Sequence, residues 1–314
     1  MNLFKAEQQF SDLTLELVDL IIEKLSTPAM VSLSQTCKSL RQITDKHLYK
    51  HVDHSFALFR TIRKRPELAK LVKAYRYDLE DATIEWTPLD VGDIEGLLSC
   101  SPKLVEFRWW TMVFDFQRPQ FLNISTVGNG LRQCKRLERI DIRFLGQSKT
   151  RGQDAAQVQR WLRGGSAEAG GQWGISGKIG SLRKLVRLSE VGVPLCAMFG
   201  WEPPSRGDET VAADVWLPEG LAKLSLSQEL GVLADYQWSP CETVELCRQL
   251  LADASRRLPC LRRLEVLRTR RMRQHGCPKL WNPAALELFH GRVVEGVFCT
   301  VDDRKDWKRG RLRR

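Results

Sequence analysis

At 314 residues, with 43% hydrophobic and 28% charged side chains, the chain is long enough for a sizeable core and for two units or one elongated one. No apolar run approaches the roughly 18 to 20 residues of a membrane helix, and Met1 to Phe10 lacks a basic start followed by an apolar core, which argues against a spanning or secreted protein. The net charge of +11 is uneven: residues 1–52 carry six basic and six acidic residues, whereas Arg304 to Arg314 holds seven basic residues against Asp306, so the basicity is expected mainly in the tail.

The first element is a helix expected over Glu16 to Leu25. Stepping 100° per residue puts Leu20, Leu17, Ile21, Leu25, Val18 and Ile22 on an arc of roughly 200°, about twice the apolar stripe of an ordinary surface helix. A core needs only one side of that helix, so the other side calls for a cover. Ser26-Thr27-Pro28 then breaks the chain, with Pro28 suited to a helix start. Met30, Val31, Leu33, Leu40, Ile43 and Leu48 carry helical spacing through two further short segments. Three short helices in about 40 residues are marginally stable alone.

This stretch resembles the F-box, particularly its fungal form. The resemblance rests on Leu13-Thr14-Leu15-Glu16-Leu17, Ile21, Leu25, Met30, Leu33, Cys37-Lys38-Ser39-Leu40 and the ending Leu48-Tyr49-Lys50-His51-Val52. It implies docking onto a Skp-type adaptor and, through it, a cullin of an SCF-type ubiquitin ligase. Three positions depart from the family pattern: Thr14 stands for a usual Pro, Ala29 for a frequent Asp, and Leu40 for a frequent Trp. Thr14 can still cap the helix through its side-chain oxygen. Leu13, Leu15, Leu17, Val18, Ile21, Ile22 and Leu25 are the expected adaptor-facing and core residues, with the division between the two roles open. An ordinary three-helix core packed on the rest of the chain is the plain alternative. A DNA-reading helix pair is disfavoured, because a segment of zero net charge with Glu16, Asp19 and Glu23 on its polar face is poorly suited to phosphate.

Phe56 to Lys70 reads as a basic helix with a solvated face, and Val72 to Tyr77 alternates as a half-buried strand. Beyond it a spacing recurs: Leu104-x-x-Phe107-x-Trp109, Leu137-x-x-Ile140-x-Ile142, Leu221-x-x-Leu224-x-Leu226 and Leu261-x-x-Leu264-x-Val266. Leu182-Arg-Lys-Leu185-Val-Arg-Leu188 is a weaker copy. Helix-like stretches at Val91 to Cys100, Ile124 to Cys134 and Thr243 to Leu258 precede three of the five. The alternation is similar to leucine-rich repeats, whose strands bury their apolar side only when stacked. The copies are longer than that family's and lack its Asn position, so an irregular α/β solenoid is expected over residues 53–303, after a three-helix domain at 11–52. An unrelated α/β domain with coincidental spacing is the alternative. Leu104, Phe107, Leu137, Ile140, Leu221, Leu224, Leu261 and Leu264 are the expected repeat core.

Gly146 to Gly180, around a short helix at Asp154 to Arg163, reads as a mobile surface loop, and residues 201–215 as an exposed excursion; both are candidate contact sites. Arg268 to Arg273 and the tail from residue 304 are basic clusters of the kind used for nuclear import or nucleic acid, although a solvated end accounts for them and Trp307 is a single aromatic. Nine cysteines, no Cys-x-x-Cys and no export signal predict reduced, mostly buried thiols.

The motifs of common catalysts are missing: there is no Gly-x-Ser-x-Gly, no His-Glu-x-x-His, and no phosphate loop, since Gly177-Lys178 is followed by Ile179. His47, His51 and His54 have helical spacing but no carboxylate or cysteine placed beside them. A non-catalytic receptor is therefore expected, with no cofactor and no metal, nucleic acid and membrane disfavoured as partners, and a cytoplasmic or nuclear location. A target protein of unknown identity would bind the repeats. A non-ligase interaction scaffold built on the same repeats is the alternative.

Overall fold

The computed structural model describes residues 13–53, 61–78, 91–112, 121–145, 174–200, 217–227, 240–252, 254–269, 291–294 and 297–304. Three helices open it: α1 (Leu15–Glu23), α2 (Thr27–Ser34) and α3 (Lys38–Leu48). Each begins where a side chain satisfies an orphan amide. Thr14 Oγ1 accepts from Leu17 N at 3.5 Å, Ser26 Oγ from Ala29 N at 3.4 Å, and Cys37 Sγ from Leu40 N at 3.5 Å. α3 packs on both other helices, aided by His47 Nε2 at 3.1 Å from Asp19 Oδ1 on α1 and by Arg41 Nε donating to the Ser34 carbonyl at 3.3 Å.

The remainder is an α/β arrangement on a nine-stranded sheet. Its strands are β1 (His51–Asp53), β2 (Ala74–Asp78), β3 (Glu106–Met112), β5 (Arg139–Leu145), β7 (Glu190–Pro194), β8 (Lys223–Ser227), β9 (Arg263–Thr269), β11 (Val297–Arg304) and β10 (Arg292–Val294), in that spatial order. Every pairing is parallel except β10 with β11. A smaller parallel pair joins β4 (Phe121–Asn123) to β6 (Gly174–Ser176). Helices α4 (Pro66–Ala69), α5 (Val91–Ser99), α6 (Ile124–Leu131), α7 (Leu195–Phe199), α8 (Pro240–Ala252) and α9 (Ala254–Arg257) lie between strands. Chain order and spatial order agree from β1 to β9 apart from the β4/β6 pair, so each strand bonds to the next one made.

The recurrent spacing is the register of this sheet. Val52, Tyr75, Phe107, Ile140, Val191, Leu224, Leu264 and Cys299 are successive partners across it, and all are buried. Two residues before each ladder residue from Val52 to Leu224, one carbonyl takes two amide donors from the next strand. Lys50 O accepts from Lys73 N and Ala74 N, Lys73 O from Val105 N and Glu106 N, Val105 O from Glu138 N and Arg139 N, and so on through Ser189 and Ala222. Backbone groups thus satisfy one another where an Asn side chain is absent. The eight expected core residues, Leu104, Phe107, Leu137, Ile140, Leu221, Leu224, Leu261 and Leu264, are each no more than 2% exposed.

Several expectations change. The copy in the middle of the chain is Leu188-x-x-Val191-x-Val193, not Leu182 to Leu188; Leu182, Leu185 and Leu188 are buried, but in the turns that enter β7. Val72-x-x-Tyr75-x-Tyr77 is a further copy, its strand pairing with β3 in register. Residue 52, the expected end of the helical domain, lies in β1, into which the third helix leads. Gly174–Ser176 is a strand and Ile179 is buried, so the end of the expected 146–180 loop is packed structure. Residues 146–173, including the short helix at Asp154 to Arg163, and the excursion at 201–215 lie outside the described residues. Arg304 closes β11, and the tail beyond it is likewise outside. Of the basic helix at 56–70, helical turns are described at 61–64 and Pro66–Ala69. Cys134, Cys196, Cys247 and Cys299 are buried, but Cys100, Cys241 and Cys260 are exposed and Cys37 is half-buried. Burial pushes the Cys134 thiol up to about 12.

Candidate functional site

Two surfaces stand out, one on the helical unit and one on the sheet. On α1 only Val18, 4% exposed, and Ile22, fully covered, face inward, an i, i+4 pair that makes a single narrow seam. Leu15 is 68% exposed, Leu20 56% and Leu17 48%, with Leu13, Ile21 and Val31 also open to solvent and Leu25 half-buried. Six of the seven apolar residues expected to divide between adaptor and core fall on one side or the other, and Leu25 is half-buried between them. Val18 and Ile22 are core, which rules them out as outward-facing positions; Leu13, Leu15, Leu17 and Ile21 are surface. Leu20 belongs with the surface group and is missing from those seven. Its place on the helical arc was the available signal.

Exposing that much leucine is costly: each such side chain would gain about 1.5 to 3 kcal/mol from full burial. The cluster is also too contiguous along one helix to be scattered surface apolarity. The helical unit itself hangs on the sheet through its last turn. Val52 joins the main core and Tyr49 packs against it, whereas Val18 and Ile22 lie outside that continuous core. Burial and the Asp45 carboxylate push the Tyr49 hydroxyl up.

The second surface is the sheet face opposite the apolar ladder. Its residues alternate in charge across strands and pair. Arg76 Nη2 lies 2.8 Å from Glu106 Oε2, Arg108 Nη2 3.4 Å from Glu106 Oε1, Arg143 Nε 2.9 Å from Asp141 Oδ1 and Arg139 Nη2 2.8 Å from Glu190 Oε1. Further along, Lys223 Nζ is 2.9 Å and Arg263 Nε 2.7 Å from Glu265, which also accepts from Ser225 Oγ at 2.8 Å. Burial raises the Glu265 carboxyl, but the Lys223 and Ser225 hydrogen bonds with the nearby cations outweigh it and leave it below the usual carboxylate range. Glu106 is lowered in the same way: burial opposes, and Arg76, Arg108 and Arg139 prevail. Arg108 and Arg143 place their guanidinium carbons 5.3 and 4.2 Å from the Trp110 ring centroid. Cross-strand partners 30 to 51 residues apart in sequence could not be paired by spacing alone.

Among the described residues no three His, Cys, Asp or Glu side chains stand close enough to hold a metal ion, and no helix is long and apolar enough to cross a membrane. His47 bonds Asp19, His51 lies in β1, and His54 is outside the described residues. What the helical surface offers is adhesion through leucines, and what the sheet offers is a stable, internally neutralised frame.

Comparison with known proteins bears on the helical unit. Residues 10–51 match the family model described as the F-box domain. No curated protein matches the chain.

Proposed function

With an F-box domain at residues 10–51, the chain is an F-box protein, and we propose that it is the substrate-recognition subunit of an SCF-type ubiquitin ligase. F-box domains generally bind a Skp-type adaptor and through it a cullin, and the proteins that carry them are generally non-catalytic. In this reading Leu13, Leu15, Leu17, Leu20 and Ile21 are the adaptor-facing residues, Val18 and Ile22 their structural support, and the sheet region holds a target protein. In this reading the chain itself transfers no ubiquitin. Its contribution is proximity: a bound target sits near the activated ubiquitin at a high effective concentration.

The observation that carries this reading is the pair of faces on α1, one packed and one bare. A helix that needed only its own domain would not keep leucines at 15, 17 and 20 in water. The continuous parallel register from β1 to β9 supports reading the sheet as an irregular stack of leucine-rich-like repeats, each burying its ladder residue against the next. No membrane partner and no cofactor enter the reading, and a cytoplasmic or nuclear setting suits a ligase subunit.

The test is co-expression with a Skp-type adaptor. Leu17→Glu with Leu20→Glu is expected to abolish co-purification of adaptor and cullin while leaving the melting transition of the chain in place. Unchanged co-purification by this double variant would show that adaptor docking does not use α1.

A further inference from the structure

We infer that the edge of the sheet where the strands begin is a docking strip for an acidic, extended segment of a protein target. This deepens the receptor reading above and rests on it. The turns that enter β2, β3, β5, β7, β8 and β9 are residues 69–73, 101–105, 134–138, 185–189, 218–222 and 258–262. The carbonyl ladder ties each turn to its neighbour: Lys73 O holds Val105 N, Val105 O holds Glu138 N, Glu138 O holds Ser189 N, Ser189 O holds Ala222 N, and Ala222 O holds Arg262 N. Thirty to fifty residues separate these turns in sequence, yet they stand side by side in space.

Their side chains are strongly one-signed. Lys70, Lys73, Lys103, Lys135, Arg136, Arg187 and Arg262 are all exposed, against only Glu138 and Glu219 among the same turns. Arg183 and Lys184, also exposed, add to the strip just ahead of β7. Among the described residues Lys73, Lys103, Arg136 and Arg187 make no ion pair, in contrast to the paired arginines on the face of the sheet. The six turns together carry a net charge of +5, seven cations against two carboxylates.

Geometry and composition select the occupant. Adjacent strands lie about 4.8 Å apart, so the strip from β2 to β9 runs roughly 24 Å, the length of about seven extended residues. None of the six turns contains an aromatic residue on which an unpaired base could stack. Glu138 and Glu219 interrupt the cations, which suits a segment with spaced carboxylates better than the dense, uninterrupted charge of a duplex. Val186, 77% exposed, stands in the middle of the strip between Arg183 and Arg187 and provides an apolar contact for a peptide side chain. The strip starts beside the helical unit, whose Lys50 carbonyl is the first rung of the ladder, so a segment lying along it would be held next to the F-box.

The probes are a 20-residue peptide of glutamates with interspersed leucines and a 20-base-pair DNA duplex, each titrated by fluorescence anisotropy against the full chain co-purified from cells. Lys103→Glu with Arg136→Glu and Arg187→Glu is expected to weaken the peptide by tenfold or more, and Val186→Ser to weaken the peptide by a few-fold without affecting the duplex. The corresponding triple Gln variant should give an intermediate loss, which keeps the test valid if charge reversal disturbs folding. Peptide affinity unchanged in both triple variants would overturn the inference, as would a duplex bound more tightly than the peptide. Adaptor co-purification is read in the same preparations: peptide binding without adaptor would remove the ligase reading alone, and adaptor without peptide binding would remove the docking strip alone.

Discussion

The helical unit and the sheet handle apolar residues in opposite ways. In the sheet every ladder residue from Val52 to Cys299 is buried, and each strand covers its predecessor. In the helical unit α1 buries Val18 and Ile22 and leaves Leu15, Leu17 and Leu20 in solvent. A sheet built by adding neighbours satisfies itself, whereas a helix with two apolar sides is complete only with a partner. The contrast is in the exposed surface: α1 leaves a contiguous row of leucines in solvent, whereas the ladder of the sheet leaves none of its residues there.

The largest effect should come from the ladder. Phe107→Ala, at a fully buried position stacked on Tyr75 with ring centroids 5.8 Å apart, is expected to cost about 3 to 5 kcal/mol in chemical denaturation. A cost under about 1 kcal/mol would mean the sheet does not share one core. On α1, Ile22→Ala should destabilise by about 2 to 4 kcal/mol, while Leu17→Ala should stay within about 0.5 kcal/mol and improve solubility of the isolated chain. Equal effects of the two would erase the distinction between packed and bare sides. Thr14→Ala removes the helix cap and is expected to cost about 1 kcal/mol, detectable as a lowered melting temperature of the helical unit.

The smallest effect concerns acidity. Glu265 is held below its usual range in the folded chain, so its stabilisation is present at neutral pH and is lost as pH falls below the unfolded value of about 4.3. Stability measured from pH 6 down to pH 3 should therefore decline, and Glu265→Gln should make that decline shallower.

How much of this was legible in sequence follows the same division. The helical unit could be read because its signals are local: a cap at Thr14, a breaker at Pro28, apolar spacing within one turn. The Leu-x-x-apolar-x-apolar form was visible in four copies because Leu, the commonest residue at its first position, is present in each. The copy at Val72 was masked by Val in that slot and by two tyrosines that alternate like any half-buried strand. The copy at Leu188 was shifted because Leu182, Leu185 and Leu188 repeat at three-residue steps, a spacing that a turn and a repeat share. The basic strip was illegible: composition dilutes its cations over about 190 residues, and only the register brings Lys103, Arg136 and Arg187 together. The tail, by contrast, drew attention because its charge is contiguous.

The two ends of the nine-stranded sheet have a consequence for the protein's behaviour at high concentration. An edge strand presents unsatisfied backbone groups that invite another chain to pair and start aggregation. Here the first edge, β1, is only three residues long and follows immediately on α3, and the last, β10, is a three-residue strand that folds back antiparallel on β11. Among the described residues, short ends of this kind leave little template for a second molecule at either side of the sheet.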